Sequence, residues 1–362
     1  MTTQPRIYSL EYLYEQRFAP LSTLDLQGVL ASVQAYADFL ARDAAEQLNL
    51  FTEETTMSRA IWGGTMKLAF DEVGEFGKGT PRKDTGGQEV HFPLYKLDAT
   101  MAASEEWWDR ASVGDLREAM IAMDNGYNQR IRDEVAAAIF NKTVRTPTKD
   151  WLVDNSVLNK IQPFLNADGA AIPNSPNGTA FTSTAQNHYI AITGSTIAAV
   201  DVNYLINHVA EHGPGKIVLF VDSAMPATLD GLSGGKYVAR PPAPIADQTA
   251  AQVARLSFNP DADRANMSVG YWDGYEVVTR SWVPTNYLVC MNLSSQQGMP
   301  LKRRVDRVKP GLRTGLEISD GRIRVRENYF YMGLGAFNRA GCAVLDASHQ
   351  ATYSAPSGLI RS

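Results

Sequence analysis

TMKLAFDEVGEF (65–76), GKGTPRKDTGG (77–87) and QEVHFPLYKL (88–97) read as the outgoing arm, the tip and the return arm of one long hairpin. The unit has no core of its own, and it leads into a long, well-patterned helix. An isolated two-stranded hairpin is marginal in water, so an arm of this length stays ordered only where another surface covers it. The glycines and charges of the tip suit a segment that reaches outward. A protruding arm held by a neighbour is a device of assembly proteins rather than of enzymes, and the hairpin therefore predicts a lattice subunit.

Composition is consistent with that reading. The chain has 362 residues, enough for two compact domains or for one with extensions. Its 34 Lys and Arg against 39 Asp and Glu give a net charge of −5. That balance argues against a dedicated nucleic-acid binder, whose domain is usually basic, but not against a shell that encloses nucleic acid without gripping it. Two cysteines, Cys290 and Cys342, are too few for a disulfide scaffold and point to a reducing compartment. The N-terminus, MTTQPRIYSLEYLYEQ, lacks the basic-then-apolar order of a signal peptide. No apolar run approaches the ~18 residues of a membrane span. The expectation is a soluble protein that is intracellular where it is made, so the sequons at Asn141, Asn177 and Asn266 carry no meaning.

Residues 26–50 have helical spacing through Val29, Val33, Tyr36, Leu40 and Ala44, with Asp25 as N-cap. The twenty or so residues before them, rich in tyrosine, arginine and proline, are expected to be extended and ordered only by what they touch. Ser112 and Asp115 make a capping box, and Val113, Leu116, Met120, Met123, Tyr127, Ile131, Val135 and Ala138 form one apolar stripe. This predicts a helix ending near Phe140, about 40 Å long. Residues 145–185 are loop-rich and read as a small extended insertion. From Asp201 the grammar becomes helix, strand, helix. Val202, Leu205, Ile206 and Val209 form the helix stripe, Gly213-Pro-Gly stops it, and Lys216–Val221 is a buried strand. A short helix follows Pro226, and Gly270–Thr279 and Asn286–Met291 are further strands of a compact α/β lobe. The C-terminal region is all strand, with Arg322, Arg324 and Arg326 alternating onto one face.

The last segment runs from Tyr329 through Gly-Leu-Gly-Ala-Phe-Asn338-Arg339-Ala to Val344-Leu345-Asp346. It resembles the closing strand of tailed-bacteriophage major capsid proteins. The order of parts is similar to the Hong Kong 97-type capsid fold, an α+β class. The resemblance implies an N-terminal arm over 1–56 and an extended β-hairpin loop over 57–104. A peripheral domain with its spine helix and an insertion would span 105–195, and an axial α/β domain 196–318. The returning peripheral strands and C-terminal tail would span 319–362. It further implies a structural protein rather than an enzyme. Copies of the chain would assemble into hexamers and pentamers of an icosahedral shell around a double-stranded DNA genome, located in the virion and assembled in the host cytoplasm. Separate scaffolding, decoration and portal proteins are the implied partners, with packaged DNA held without sequence specificity, no membrane and no cofactor. Some family members cross-link their loops through a lysine, an asparagine and a glutamate. Lys78 and Lys83 sit at the tip, but nothing fixes an acceptor asparagine, and that chemistry is not carried over. An encapsulin-like compartment has the same fold and is the near alternative.

The rival from another class is His208-Val-Ala-Glu211-His212, an H-x-x-E-H pattern. Two histidines four apart share a helix face, and the intervening glutamate would act as base on zinc-bound water in a hydrolase. The plainer reading is a helix end, where a cationic last turn suits the dipole, and a third ligand has only Glu276, Glu317 and Glu327 as candidates. The basic run Lys302–Lys309 would meet DNA phosphates or a neighbouring subunit. With no aromatics interleaved, subunit contact is favoured. The three alternating arginines are expected to pair with acids across a strand or subunit. Gly231–Lys236 lacks phosphate-loop spacing, and no nucleophile motif occurs. The residues expected at subunit interfaces are Tyr12, Tyr14 and Phe18 on the arm and Phe76, Lys78 and Arg82 on the hairpin. Trp107 joins them as an aromatic anchor, with Arg303 and Arg304 from the basic run.

Overall fold

The computed structural model describes residues 7–63, 87–146, 160–192, 194, 196–240, 268–308, 311–319, 323–348 and 352–359. The expected positions Phe76, Lys78 and Arg82, and with them the hairpin tip, lie outside these residues. The chain begins with a short helix α1 (Leu10–Glu15) and a 3₁₀ turn (Leu21–Thr23). This corrects the expectation of an extended arm. Ser9 caps α1, and Leu13, fully buried, packs with Leu21, Val29, Val113 and Leu116. Apolar burial against the same chain orders the segment.

Helix α2 (Leu26–Leu48) starts where Asp25 accepts a 2.9 Å bond from the Gly28 amide. Strands β1 (Thr52–Thr55), β2 (Arg59–Trp62), β3 (Gln88–His91) and β4 (Tyr95–Ser104) follow, then a short helix α3 (Glu105–Arg110). The return arm is not one strand: Pro93, with no amide hydrogen to give a ladder, separates β3 from β4. Those two strands join different sheets. Helix α4 (Val113–Phe140) carries the expected capping box and buried stripe. The Ser112 amide and hydroxyl hold the Asp115 carboxyl below its usual pKa.

Beyond the loop-rich region come β5 (Tyr189–Ala191), α5 (Ala199–Ala210), β6 (Ile217–Val221), α6 (Met225–Asp230), β7 (Tyr237–Ala239), β8 (Ser268–Trp272), β9 (Tyr275–Thr279) and β10 (Tyr287–Asn292). The stretch 270–279 is a hairpin, because Asp273-Gly274, both at positive φ, form its two-residue turn. Strands β11 (Leu301–Arg304), β12 (Arg313–Ser319), β13 (Ile323–Ala336) and β14 (Cys342–Asp346) complete the chain.

Two larger sheets hold most of these strands, and β2 and β3 pair as a separate two-stranded one. The seven-stranded sheet has the order β5-β14-β10-β6-β9-β8-β7. Ile217, Leu219 and Val221 of β6, Leu288 and Cys290 of β10, and Ala343 and Leu345 of β14 pack beneath α5 and α6. The alternate residues Val218, Phe220, Val289, Met291, Cys342 and Val344 face the core built with α2 and α4. Cys290 and Cys342 are therefore on opposite faces, and both are free thiols. The second sheet runs β1-β11-β13-β12, with β4 also on β13. Register puts Arg326 opposite Glu317 and Arg324 opposite Ser319, and Arg322 lies outside the described residues. The sheets do not follow the sequence divisions. Strands β11 and β12, from the 196–318 stretch, pair in the second sheet, and β14, from the 319–362 stretch, lies between β5 and β10 in the first. Register across such distances leaves no local pattern for sequence to display.

Candidate subunit-contact site

The hairpin root is fastened to the body of the chain by strand pairing and by buried side chains. Strands β2 and β3 pair antiparallel, from Arg59 opposite His91 to Trp62 opposite Gln88. Trp62 is buried and its indole donates a 3.2 Å bond to the Asn338 side chain. Gln88 accepts from the guanidinium of Arg339. Arg339 is completely buried and also donates to the carbonyls of Pro163 (2.6 Å) and Phe164 (3.3 Å) and to the Asp168 carboxylate (2.7 Å). One side chain thus joins the hairpin root, the insertion and the turn between β13 and β14. Its fork of donors suits four acceptors spread around it.

A second fastening lies at Phe92-Pro93-Leu94, all buried. The Phe92 amide donates to the Ser58 carbonyl at 2.8 Å, and the Phe92 carbonyl accepts from Arg304 at 2.9 Å. This stretch crosses β13 so closely that a Cβ on Gly333 would sit 1.5 Å from the Pro93 oxygen. The glycine in Gly333-Leu-Gly-Ala is the room that crossing needs.

The structure corrects the assignment of Arg303 and Arg304 to a subunit interface. Arg304 is 3 % exposed and occupied by Phe92. Arg303 is 7 % exposed and donates to Asn49 and to Glu54, whose charge offsets the burial that lowers the arginine's pKa. Alternation on β11 sends the two to opposite faces of the sheet, both covered here, and each finds an acceptor within the chain. Lys302 lies 3.8 Å above the Phe337 ring and 3.5 Å from Glu53.

The aromatic residues of the first segment divide. Tyr12 is half-buried and stacks on Tyr8 at 5.4 Å between centroids. Tyr14 and Phe18 point outward, 51 % and 83 % exposed, with the Arg17 guanidinium 4.6 Å from each ring. Their backbone is fixed: Val113 donates to Ala19 at 2.9 Å and Gly114 to Arg17 at 3.0 Å. The patch is presented rigidly from the foot of α4. Trp107, on α3, is part-exposed at 38 %.

The H-x-x-E-H helix end folds differently from a metal centre. His208 and His212 face inward and meet His188, while Glu211 is on the surface side. Among the described residues, no group of three metal-ligating side chains is placed to hold an ion. Sequence reading missed His188 and Arg339. Arg339 had one signal, a lone arginine flanked by small residues between two apolar strands. His188 had none, being 20 residues from His208.

No protein-family model and no curated protein matches the sequence. Among solved structures, a chain from Mycobacterium phage Patience matches with a TM-score of 0.64 and 17 % identity, over 98 % of this chain and 96 % of that one. The capsid of an empty GTA particle gives 0.47 and 13 %, over 83 % and 89 %. The holo-SrpI encapsulin complex from Synechococcus elongatus PCC 7942 gives 0.45 and 11 %, over 86 % and 89 %. The chain shares its fold of mixed helix and sheet with the chain from Mycobacterium phage Patience.

Proposed function

We propose that this chain is the shell-forming subunit of a tailed phage. In this reading it assembles with copies of itself into hexamers and pentamers around double-stranded DNA, which it encloses without reading sequence. It is a structural protein and works in the virion, after assembly in the host cytoplasm. The observation that carries the reading is the fold likeness to a phage chain over 98 % of the sequence. The fastened hairpin root and the outward Tyr14–Arg17–Phe18 patch support it, since both present contact groups from rigid positions.

In the lattice, the hairpin carrying Phe76, Lys78 and Arg82 lies over the next subunit, and Tyr14 and Phe18 meet a neighbour, with Tyr12 backing them. Trp107 adds an aromatic anchor. The α/β lobe makes the ring contacts and the α4 region the periphery. Each contact is weak alone, and closure of the shell multiplies them. Scaffolding, decoration and portal proteins would be separate chains. Electron microscopy with size-exclusion chromatography tests the reading. Purified protein is expected to give closed shells, capsomers or tubes. A chain that stays monomeric at every concentration, with macromolecular crowding agents present, would overturn it.

A further inference from the structure

His188 precedes β5, His208 lies in the last turn of α5, and His212 lies just beyond it. All three are buried, at 0 %, 8 % and 7 % exposure. His188 Nδ1 is 2.7 Å from the Cys342 carbonyl oxygen. A carbonyl only accepts, so Nδ1 carries the hydrogen. Neutral His188 then offers Nε2 as an acceptor, 3.1 Å from His212 Nε2, which must donate. His212 Nδ1 is left as a bare lone pair, buried and without a hydrogen-bond partner, and His208 Nε2 is buried and unpartnered as well. His208 packs its ring 4.6 Å from that of His188. The hydrogen bond between His188 and His212 is consistent only while both of those rings are neutral, whereas His208 faces the Asn187 backbone and Glu211.

A proton added to His188 sets two N–H groups head to head. The alternative is to move the His212 hydrogen to Nδ1, where it meets no acceptor. Either outcome breaks the bond or buries an unpaired donor. The surroundings give a cation little help. Among the described residues Glu211 is the one acid beside the cluster, 3.3 Å from His208 Nδ1 and 3.8 Å from His212 Nε2, but its side chain is 41 % exposed and water screens it. Arg339 opposes a charge on His188, and the buried Cys342 thiol stays neutral. Phe181 covers His212 at 4.3 Å and Tyr204 covers His208 at 5.6 Å.

The cluster joins separate parts of the chain: Phe181 and His188 end the loop-rich segment 160–188, and the other two histidines belong to the end of α5. We propose that His188, His208 and His212 form an acid-released latch. It holds the end of segment 160–188 against α5 while His188 and His212 are neutral, and frees it when either takes a proton.

Burial lowers the pKa of all three, His212 to about 4. A freed histidine titrates near 6.5. Below that value the open state binds protons that the closed state refuses. The latch's contribution is therefore whole above about pH 6.5 and is lost as the pH falls towards 4. Hydrogen exchange of peptides spanning 160–188, corrected for intrinsic rates, reads this directly, with β10 peptides as the internal control. Between pH 7 and pH 5, protection in the segment is expected to fall by about tenfold or more, because one such group changes the opening equilibrium about tenfold per pH unit. β10 should hold. In the His208→Gln, His212→Gln double variant, which keeps a donor facing His188, the fall should shrink to about threefold or less. Equal falls in segment and control, or the same fall in the variant, would overturn the latch. If the variant fails to fold, the wild-type comparison between segment and β10 decides alone.

Discussion

Arg339 shows how much one side chain holds at the residue scale. It is fully buried, and its removal leaves two carbonyls, a glutamine and the Asp168 carboxylate to find other partners. Asp168 retains 24 % exposure and recovers some hydration, so the cost sits at the low end for a broken buried ion pair. Arg339→Met is expected to destabilise the chain by about 3 kcal/mol. Arg339→Lys should cost less but remain harmful, since a point charge cannot span acceptors that a planar fork reaches. Urea unfolding followed by tryptophan fluorescence checks both, as Trp62 lies 5.9 Å from the guanidinium. An unshifted midpoint in the methionine variant would mean that the node contributes nothing. The sequence displayed Arg339 only as a member of a motif. Its four acceptors are drawn from segments up to 251 residues away, and nothing in the neighbouring residues encodes that.

Elements differ in legibility for a related reason. The capping box and stripe of α4 are local, so its start and end read correctly from spacing alone. The break between β3 and β4 is set by a crossing, and the glycine that makes room for it looked like strand composition. Two substitutions of the same kind separate these cases. Gly333→Ala puts a methyl into the Pro93 carbonyl and should cost about 3 kcal/mol or more, with faster proteolysis at residues 87–94. Gly126→Ala, on α4, meets nothing within 4 Å and should stabilise by up to about 1 kcal/mol through helix propensity. Denaturation midpoints moving in the same direction would refute this account of the crossing. The first segment was misread because its order comes from Leu13 meeting Val113 and Leu116, about a hundred residues on.

For the whole molecule, the main fact is where the last strands go. β14 lies between β5 and β10, and β13 bonds to β4, β11 and β12. The tail beyond adds a lesser anchor: the Tyr353 hydroxyl donates to the Phe140 carbonyl at 2.7 Å, and its ring is buried. A chain ending at Ser348 should fold with a loss of about 3 kcal/mol, as for a deleted core aromatic. One ending at Ala336 should not fold, because β5 loses its partner and β10 loses a neighbour. Circular dichroism and solubility of the two truncations distinguish them, and a folded shorter chain would contradict the sheet order. The α/β lobe was legible from its alternating helices and strands, and the last strand was read as a strand, but its place beside β10, more than fifty residues upstream in sequence, was not. That placement also sets a clock on biosynthesis. While the ribosome is still adding residues, both sheets lack a member, and the nascent chain holds helices and hairpins with nothing to close them. Completion waits for Asp346, so under the proposed shell-forming role a half-made copy cannot present a finished surface, and polysomes carrying many unfinished copies would be spared premature association.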